Sequence, residues 1–214
     1  MARILITSGP TRQYIDPVRY LSNASSGTMG KCLAQSALDL GHEVVVISGP
    51  VLINYPEAAQ VVEVVSTEDM LNAAKELFPQ CDGMIGAAAP CDYQPVEVAD
   101  HKIRKTGEHL QLKLVETEDI MATMGAAKTD SQWTVGFALE TEDARFRALK
   151  KLIKKSCDLI VLNGVAAIDS QENTIEIIAT DGNVIATESG KKTKVAAKIL
   201  DVIQERLIDA VDSV

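Results

Sequence analysis

Short apolar runs alternate with amphipathic stretches along most of this chain. Six runs are typical of buried strands, at residues 4–7, 43–48, 61–65, 83–87, 133–138 and 159–162. Amphipathic patterns between them predict helices over residues 27–40, 70–78 and 142–155. Apolar strands separated by helices predict an α/β fold, with a mainly parallel, doubly wound, Rossmann-like sheet covered on both faces.

Turn and capping residues refine this outline. Gly41 follows the first helix as a C′ residue should, and Ser66 with Asp69 predicts a capping box that opens the second. Residues 174–179 and 184–187 flank the turn Asp181-Gly182-Asn183 and predict a C-terminal hairpin. A last helix is expected over residues 195–211. No repeat or linker interrupts the pattern, so we expect a single domain over residues 1–214.

Residues 90–110 break the periodicity, and we refer to them as the lid. Such a long irregular stretch inside a compact domain is often a binding loop. It carries the cations Lys102, Arg104 and Lys105. They could bring positive charge over a polyphosphate, or they could form a solvated charge run. Strict alternation over residues 110–114 predicts a strand at the far side of the lid.

The composition narrows the class of protein. The formal net charge of −9 argues against a general nucleic-acid binder, and 46% hydrophobic residues is ordinary for a soluble globular protein. We expect a cytoplasmic protein on two further grounds. No apolar run reaches the ~20 residues of a membrane span, and no secretory leader is visible. The four cysteines are widely scattered, so we expect reduced thiols and no zinc site.

The loop after the first strand, residues 9–27, is the most informative segment; we call it the first loop. It links an apolar strand to a helix start and is rich in small and hydroxyl residues, which favours anion binding. Alternatively, Ser25 or Ser26 simply caps the helix. No GxGxxG fingerprint is present, which weakens the case for a nicotinamide enzyme.

Other single residues carry two interpretations each. Asn23 could stabilise an oxyanion without titrating, or could shape an Asx-turn. Phe137 ends a buried strand and could contact a ligand ring, although core packing is more frequent. Asp92 could bind a base, a ribose or a metal, or cap a turn. Lys151 and Lys155 share one helix face, where they could bind an anion or could simply make the surface soluble.

Together these residues carry a resemblance that no single one does. The segment ITSGPTRQYIDPVRYLSNASSGTMG resembles the amino-terminal signature of phosphopantothenate–cysteine ligases. The similarity continues through AAPCDY, KIRK, EDI, VGFALET and DLIVLN, in order and over nearly the whole chain. It implies that CTP activates the carboxylate of phosphopantothenate as an acyl-cytidylate with loss of pyrophosphate. The amine of cysteine then displaces CMP in a step of coenzyme A biosynthesis.

The same resemblance implies a set of site residues. Asn23 and Lys102 would be catalytic. The nucleotide contacts would be Ala88, Ala89, Asp92, Lys102, Asp119, Ile120, Phe137, Lys151 and Lys155. The phosphopantothenate contacts would be Gly9, Thr11, Arg19, Asn23, Ser25, Ser26 and Gly27. Magnesium would accompany CTP through ligands that the sequence does not identify, and a homodimer is implied. Because Met1 leads directly into the ligase motifs, we expect no flavin and no decarboxylation step.

Two other classes stay open on the residues alone. A Rossmann-type oxidoreductase should carry a glycine-rich fingerprint and a Tyr-x-x-x-Lys pair, and the sequence shows neither. A non-catalytic nucleotide-binding module would need neither Asn23 nor Lys102, so their presence favours the ligase.

Overall fold

The structure, a computed structural model, describes residues 1–140, 142–164 and 172–210. The strands and helices of these residues, in chain order, are β1 (Arg3–Ser8), β2 (Arg12–Tyr14), β3 (Tyr20–Ser22), α1 (Thr28–Asp39), β4 (Glu43–Ser48), β5 (Gln60–Glu63), α2 (Thr67–Leu77), β6 (Gly83–Gly86), β7 (Tyr93–Pro95), β8 (Leu114–Glu116), α3 (Ile120–Ala127), β9 (Trp133–Leu139), α4 (Ala144–Lys154), β10 (Leu159–Asn163), β11 (Glu172–Ala179), β12 (Val184–Lys191) and α5 (Lys192–Ile203). A short 3-10 turn follows α2 and a π-helical turn follows α5.

The central sheet determines where a ligand can bind. Its described strands lie in the order β12-β11-β10-β9-β6-β1-β4-β5. The strands from β10 to β5 are parallel, and β11 and β12 extend the sheet antiparallel. The parallel part has the 3-2-1-4-5-6 order of a doubly wound Rossmann sheet, so the predicted fold class is confirmed. Its switch point lies between β1 and β6, where a crevice opens at the carboxyl ends of the strands.

Apolar side chains fill both faces of this sheet. One face packs against α1 and α5, with Leu33 and Ile199 fully or almost fully buried. The other face packs against α2, α3 and α4 through residues such as Met70, Met124 and Leu152. Strands with helices on both sides must be apolar throughout, which explains why β1 has five buried residues in a run of six.

Several local predictions are confirmed. Ser66 and Asp69 form the capping box of α2, which begins at Thr67 rather than at residue 70. Asp181 and Asn183 flank Gly182, whose φ of +83° allows the tight turn between β11 and β12. The last helix begins at Lys192, three residues earlier than predicted, and residue 211 of its predicted end lies outside the described residues.

One prediction is wrong, and one alternative interpretation does not hold. The alternating segment 110–114 is not a strand; β8 begins only at Leu114 and pairs with the three residues of β7. Leu110 and Leu112 are largely exposed, so their alternation does not reflect burial against a sheet. Neither Ser25 nor Ser26 is the N-cap of α1, because Gly27 occupies that position with a φ of +76° and no capping side chain.

Within the described residues, no helix has both the length and the apolar composition required to cross a bilayer. All four cysteines are buried free thiols, and the described residues contain no cluster of acidic, histidine or cysteine side chains suited to a metal ion.

Candidate functional site

At the switch point, one side chain connects two loops. The first loop follows β1, and residues 87–92 follow β6. The Asn23 side chain spans them, because its Nδ2 donates hydrogen bonds to the carbonyl oxygens of Ala89 (3.3 Å) and Pro90 (2.9 Å). Two carbonyl acceptors fix the carboxamide orientation, so Oδ1 is the polar atom of this side chain that is left for a ligand. Asn23 can stabilise an oxyanion only if Nδ2 leaves these carbonyls.

The larger cavity, of about 570 Å³, opens beside this bridge. Nine of the residues predicted from the sequence line it, namely Asn23, Ala88, Ala89, Asp92, Asp119, Ile120, Phe137, Lys151 and Lys155. They come from the first loop, the loop after β6, the start of α3, the end of β9 and the last turns of α4. Residues separated by up to 132 positions therefore meet at the carboxyl edge of the sheet.

The cationic wall of the larger cavity comes from α4. Lys151 pairs with Glu140 (Nζ–Oε1 2.6 Å), and Lys155 pairs with Asp119 (Nζ–Oδ2 3.1 Å). Each lysine thus has a carboxylate partner that a bound phosphate would have to displace or share. Glu140 is almost fully buried and was not among the residues predicted from the sequence. Its place in the VGFALET motif, directly after a strand end, was the signal that pointed to it.

Helix α3 completes this wall, and no helix was predicted over its residues. Asp119 is its N-cap and accepts a hydrogen bond from the backbone N–H of Ala122 (3.1 Å). A side chain attached to Gly125 would lie 1.9 Å from the carbonyl oxygen of Lys155, so glycine allows α3 to contact the end of α4. This close packing sets the spacing between Asp119 and Lys155.

The smaller cavity, of about 220 Å³, lies against the N-terminus of α1. Ser25, Ser26 and Gly27 line it, as do Asn163, Asn173 and Lys192, which were not among the predicted site residues. It shares a wall with the larger cavity, formed by Ala88, Ala89, Phe137 and Leu139. The N–H groups at the N-terminus of α1 and the Lys192 ammonium favour an anionic ligand here.

Phe137 has a core position and also reaches both cavities, while its contact with a ligand ring stays a prediction. It packs against the core cluster on the α1 side of the sheet and also lines both cavities. Cys91 also lines the larger cavity, but burial raises the pKa of its thiol. Cys91 therefore stays protonated near neutral pH and is a poor nucleophile.

Four predicted site residues line neither cavity. Gly9 has a φ of +78°, and a side chain there would lie 2.7 Å from Val51. Thr11 is fully buried and shares a 2.8 Å hydrogen bond with the Thr67 hydroxyl. Arg19 forms an ion pair with Asp16. Lys102 is exposed on the lid. Their roles toward a ligand stay predictions.

The fold and its crevice place this chain among the Rossmann-like α/β proteins that bind ligands at the switch point of a doubly wound sheet. Residues 1–207 match the family described as DNA/pantothenate metabolism flavoprotein C-terminal domain. The chain belongs to that family, which confirms the resemblance drawn from its motifs.

Relatives by sequence and by structure agree with this assignment. The bifunctional protein CoaBC of coenzyme A biosynthesis from Bacillus subtilis is 40% identical over 205 residues, which is 94% of this chain and 50% of that protein. A protein of an unknown prokaryotic organism, named cysteine/cysteine sulfinic acid decarboxylase, is 40% identical over 92% of this chain and 56% of its own length. The chain thus spans about half the length of these relatives.

A crystal structure of the C-terminal domain of CoaBC superposes with a TM-score of 0.82 at 39% identity. The match covers 97% of this chain and 96% of that domain.

Proposed function

We propose that this chain is a phosphopantothenate–cysteine ligase that uses CTP. One observation carries the proposal: Asn23, Phe137 and the lysine pair of α4 line a single cavity that adjoins the N-terminus of α1. The ligase chemistry needs this combination, since two anionic substrates must lie side by side. The C-terminal domain of CoaBC, a protein named for coenzyme A biosynthesis, shares the fold over 96% of its length.

In the proposed reaction, a carboxylate oxygen of phosphopantothenate attacks the α-phosphorus of CTP. The P–O bond to the leaving group breaks, pyrophosphate departs, and an acyl-cytidylate forms. The amine of cysteine then attacks the acyl carbon and releases CMP with the former carboxylate oxygen. The attacking amine loses a proton in this step, and the product is an amide. The carboxylate is a poor electrophile until this activation.

We assign the larger cavity to the nucleotide. Lys151 and Lys155 would exchange their carboxylate partners for phosphate oxygens and so stabilise charge that develops on the leaving group. Phe137 would separate the nucleotide from the smaller cavity, where Ser25 and Ser26 would hold phosphopantothenate. Asn23 at the junction is suited to contact the acyl-cytidylate through Oδ1, and Lys102 would add charge from the lid.

The residues fit a magnesium ion that enters with the nucleotide. Mg²⁺ is usually held by one or two carboxylates and by substrate phosphates. The larger cavity provides Asp92 and Glu118 for this purpose, and the described residues offer no three-ligand acidic cluster. When bound, the ion would neutralise phosphate charge. We also propose a cytoplasmic homodimer, as the family resemblance implies.

The test is pyrophosphate release by the purified protein with phosphopantothenate, cysteine, Mg²⁺ and CTP. The proposal predicts release that depends on phosphopantothenate, a product with the mass of phosphopantothenoylcysteine, and slower turnover with ATP. Lys155→Gln should weaken CTP binding about tenfold. The matched control is Lys150→Gln on the same helix, because Lys150 lies 4.6 Å from the Phe146 ring and lines neither cavity.

Other outcomes favour other classes. Absence of phosphopantothenate-dependent pyrophosphate contradicts the ligase. An NAD(P)H-dependent absorbance change would instead indicate an oxidoreductase, and no activity in either assay would indicate a binding module.

A further inference from the structure

The first loop holds the backbone of one lid residue, Ile103, through two hydrogen bonds with Asp16 and Arg19, which we call the clamp. Asp16 and Arg19 lie in the turn between β2 and β3. The backbone N–H of Ile103 donates a 3.1 Å hydrogen bond to Oδ2 of Asp16, and its carbonyl accepts a 2.8 Å hydrogen bond from Nη2 of Arg19. Ile103 stands between Lys102 and Arg104 in the chain.

Hydrogen bonds within the first loop fix the position of the Asp16 carboxylate. Asp16 is fully buried, and its Oδ1 accepts hydrogen bonds from the backbone N–H groups of Val18 (2.8 Å) and Arg19 (2.9 Å). Its Oδ2 pairs with the Arg19 guanidinium through both Nε and Nη2. The Arg19 hydrogen bond is also the main reason why the pKa of Asp16 lies well below its usual range. Asp16 is therefore charged at any pH at which the protein would act.

A second contact ties the lid to the same turn. The backbone N–H of Ala99 donates a 3.1 Å hydrogen bond to the carbonyl oxygen of Ile15. Lys102 thus lies between two docked lid positions, although it is exposed and lines neither cavity. The first loop that carries this turn also carries Asn23 at the crevice.

We propose that Asp16 and Arg19 are positioning residues that hold Lys102 relative to Asn23 through the backbone of Ile103. This inference rests on the proposed function for its catalytic consequence. It assigns Arg19 a different role from the phosphopantothenate contact that the sequence predicts. Because Asp16 is buried and lines neither cavity, it acts on a substrate only through the lid and Arg19.

Hydrogen exchange tests the clamp without any substrate. In Asp16→Asn and Arg19→Lys, we expect amide exchange in residues 99–106 to accelerate at least about tenfold, since local opening limits exchange. The matched control is Arg145→Gln, which removes an arginine–carboxylate pair of the same two-point kind from α4 (Arg145 to Glu176, 2.7 and 2.8 Å). Unchanged exchange in both clamp variants would overturn the proposal. Should Asp16→Asn not fold, Ile103→Pro removes the same hydrogen bond from the lid side.

Kinetics then separate positioning from direct binding. The clamp predicts that Asp16→Asn lowers kcat about tenfold and leaves the KM for phosphopantothenate within about twofold. In a Lys102→Gln background, the same change should lower kcat by less than about twofold, because the side chain that it positions is already gone. A raised KM with unchanged kcat, or factors that multiply in the double variant, would overturn the proposal. An inactive wild-type protein would refute the ligase, while hydrogen exchange would still decide the clamp.

Discussion

Substitution of Gly125 by alanine should destabilise the protein, although helix propensity alone predicts the opposite. Alanine is favoured over glycine inside a helix by about 1 kcal/mol. The added Cβ would, however, lie 1.9 Å from the carbonyl oxygen of Lys155, and real Cβ contacts essentially never fall below 3.0 Å. Helix α3 and the end of α4 must therefore separate by at least about 1 Å in a close-packed region.

The gain in helix propensity and the cost of overpacking act in opposite directions. Overpacking of this kind costs typically ~1–3 kcal/mol, and a backbone carbonyl cannot rotate away as a flexible side chain can. We therefore take the upper part of that range, ~2–3 kcal/mol. After the gain of about 1 kcal/mol in propensity, we expect Gly125→Ala to lower the free energy of unfolding by about 1–2 kcal/mol. The shift should also move Lys155, which lies 3.1 Å from Asp119, out of its position in the wall of the larger cavity and so weaken CTP binding.

Urea unfolding measures the loss of stability, and isothermal titration calorimetry with CTP measures the loss of affinity. Ala126→Gly is the matched control, because residue 126 is exposed on the same helix. It should cost about 1 kcal/mol through propensity alone and leave CTP affinity unchanged. A Gly125→Ala protein as stable as the wild type, with unchanged CTP affinity, would refute the packing argument.

Three further predictions concern single side chains. Asn23→Asp replaces the Nδ2 donor with an oxygen that faces the carbonyls of Ala89 and Pro90, so the side chain loses the position from which it would hold the acyl-cytidylate. Activation should still proceed, but the intermediate should escape before cysteine attacks it. Mass spectrometry should then find less amide than pyrophosphate, and equal amounts would contradict this. Lys102→Gln should cut turnover with an unchanged melting temperature, and unchanged turnover would remove the lid lysine from the mechanism. Burial raises the pKa of Cys157 to about 11. The stabilisation is present below the thiol pKa of the unfolded chain and is lost as pH rises from about 9 to 11, by up to about 3 kcal/mol. Cys157→Ala should flatten that loss, and the same alkaline loss in the variant would contradict this.

The sheet was predictable because its central strands are buried on both faces. A short, continuous apolar run such as residues 43–48 is typical of a strand that is buried on both faces of a parallel sheet. The observed strand β4 has the predicted bounds. The edge strand β5 was predicted one residue late at its start and two at its end, because half-exposed residues carry a weaker pattern. Helix α3 was missed because its less buried positions are mostly alanine (Ala122, Ala126 and Ala127), which leaves little amphipathic contrast with its buried face.

The site was predictable to the extent that it follows strand ends. Asn23 and Asp92 lie in the loops that follow the parallel strands β1 and β6, and Phe137 lies near the carboxyl end of β9, so all three meet at one edge of the sheet. Contacts between distant segments left no local signal. The pairing of Lys151 with Glu140, and of Asp16 with a lid residue 87 positions away, depends on how loops pack rather than on any periodicity.

The most direct test of the central claim follows a single oxygen atom. If the crevice activates the carboxylate of phosphopantothenate with CTP, then substrate labelled with ¹⁸O in that carboxylate must transfer one labelled oxygen to CMP. Mass spectrometry of the nucleotide product after turnover with cysteine should show CMP heavier by one ¹⁸O, with unlabelled pyrophosphate. Amide formation with unlabelled CMP would contradict the acyl-cytidylate and, with it, the assignment of the two adjoining cavities.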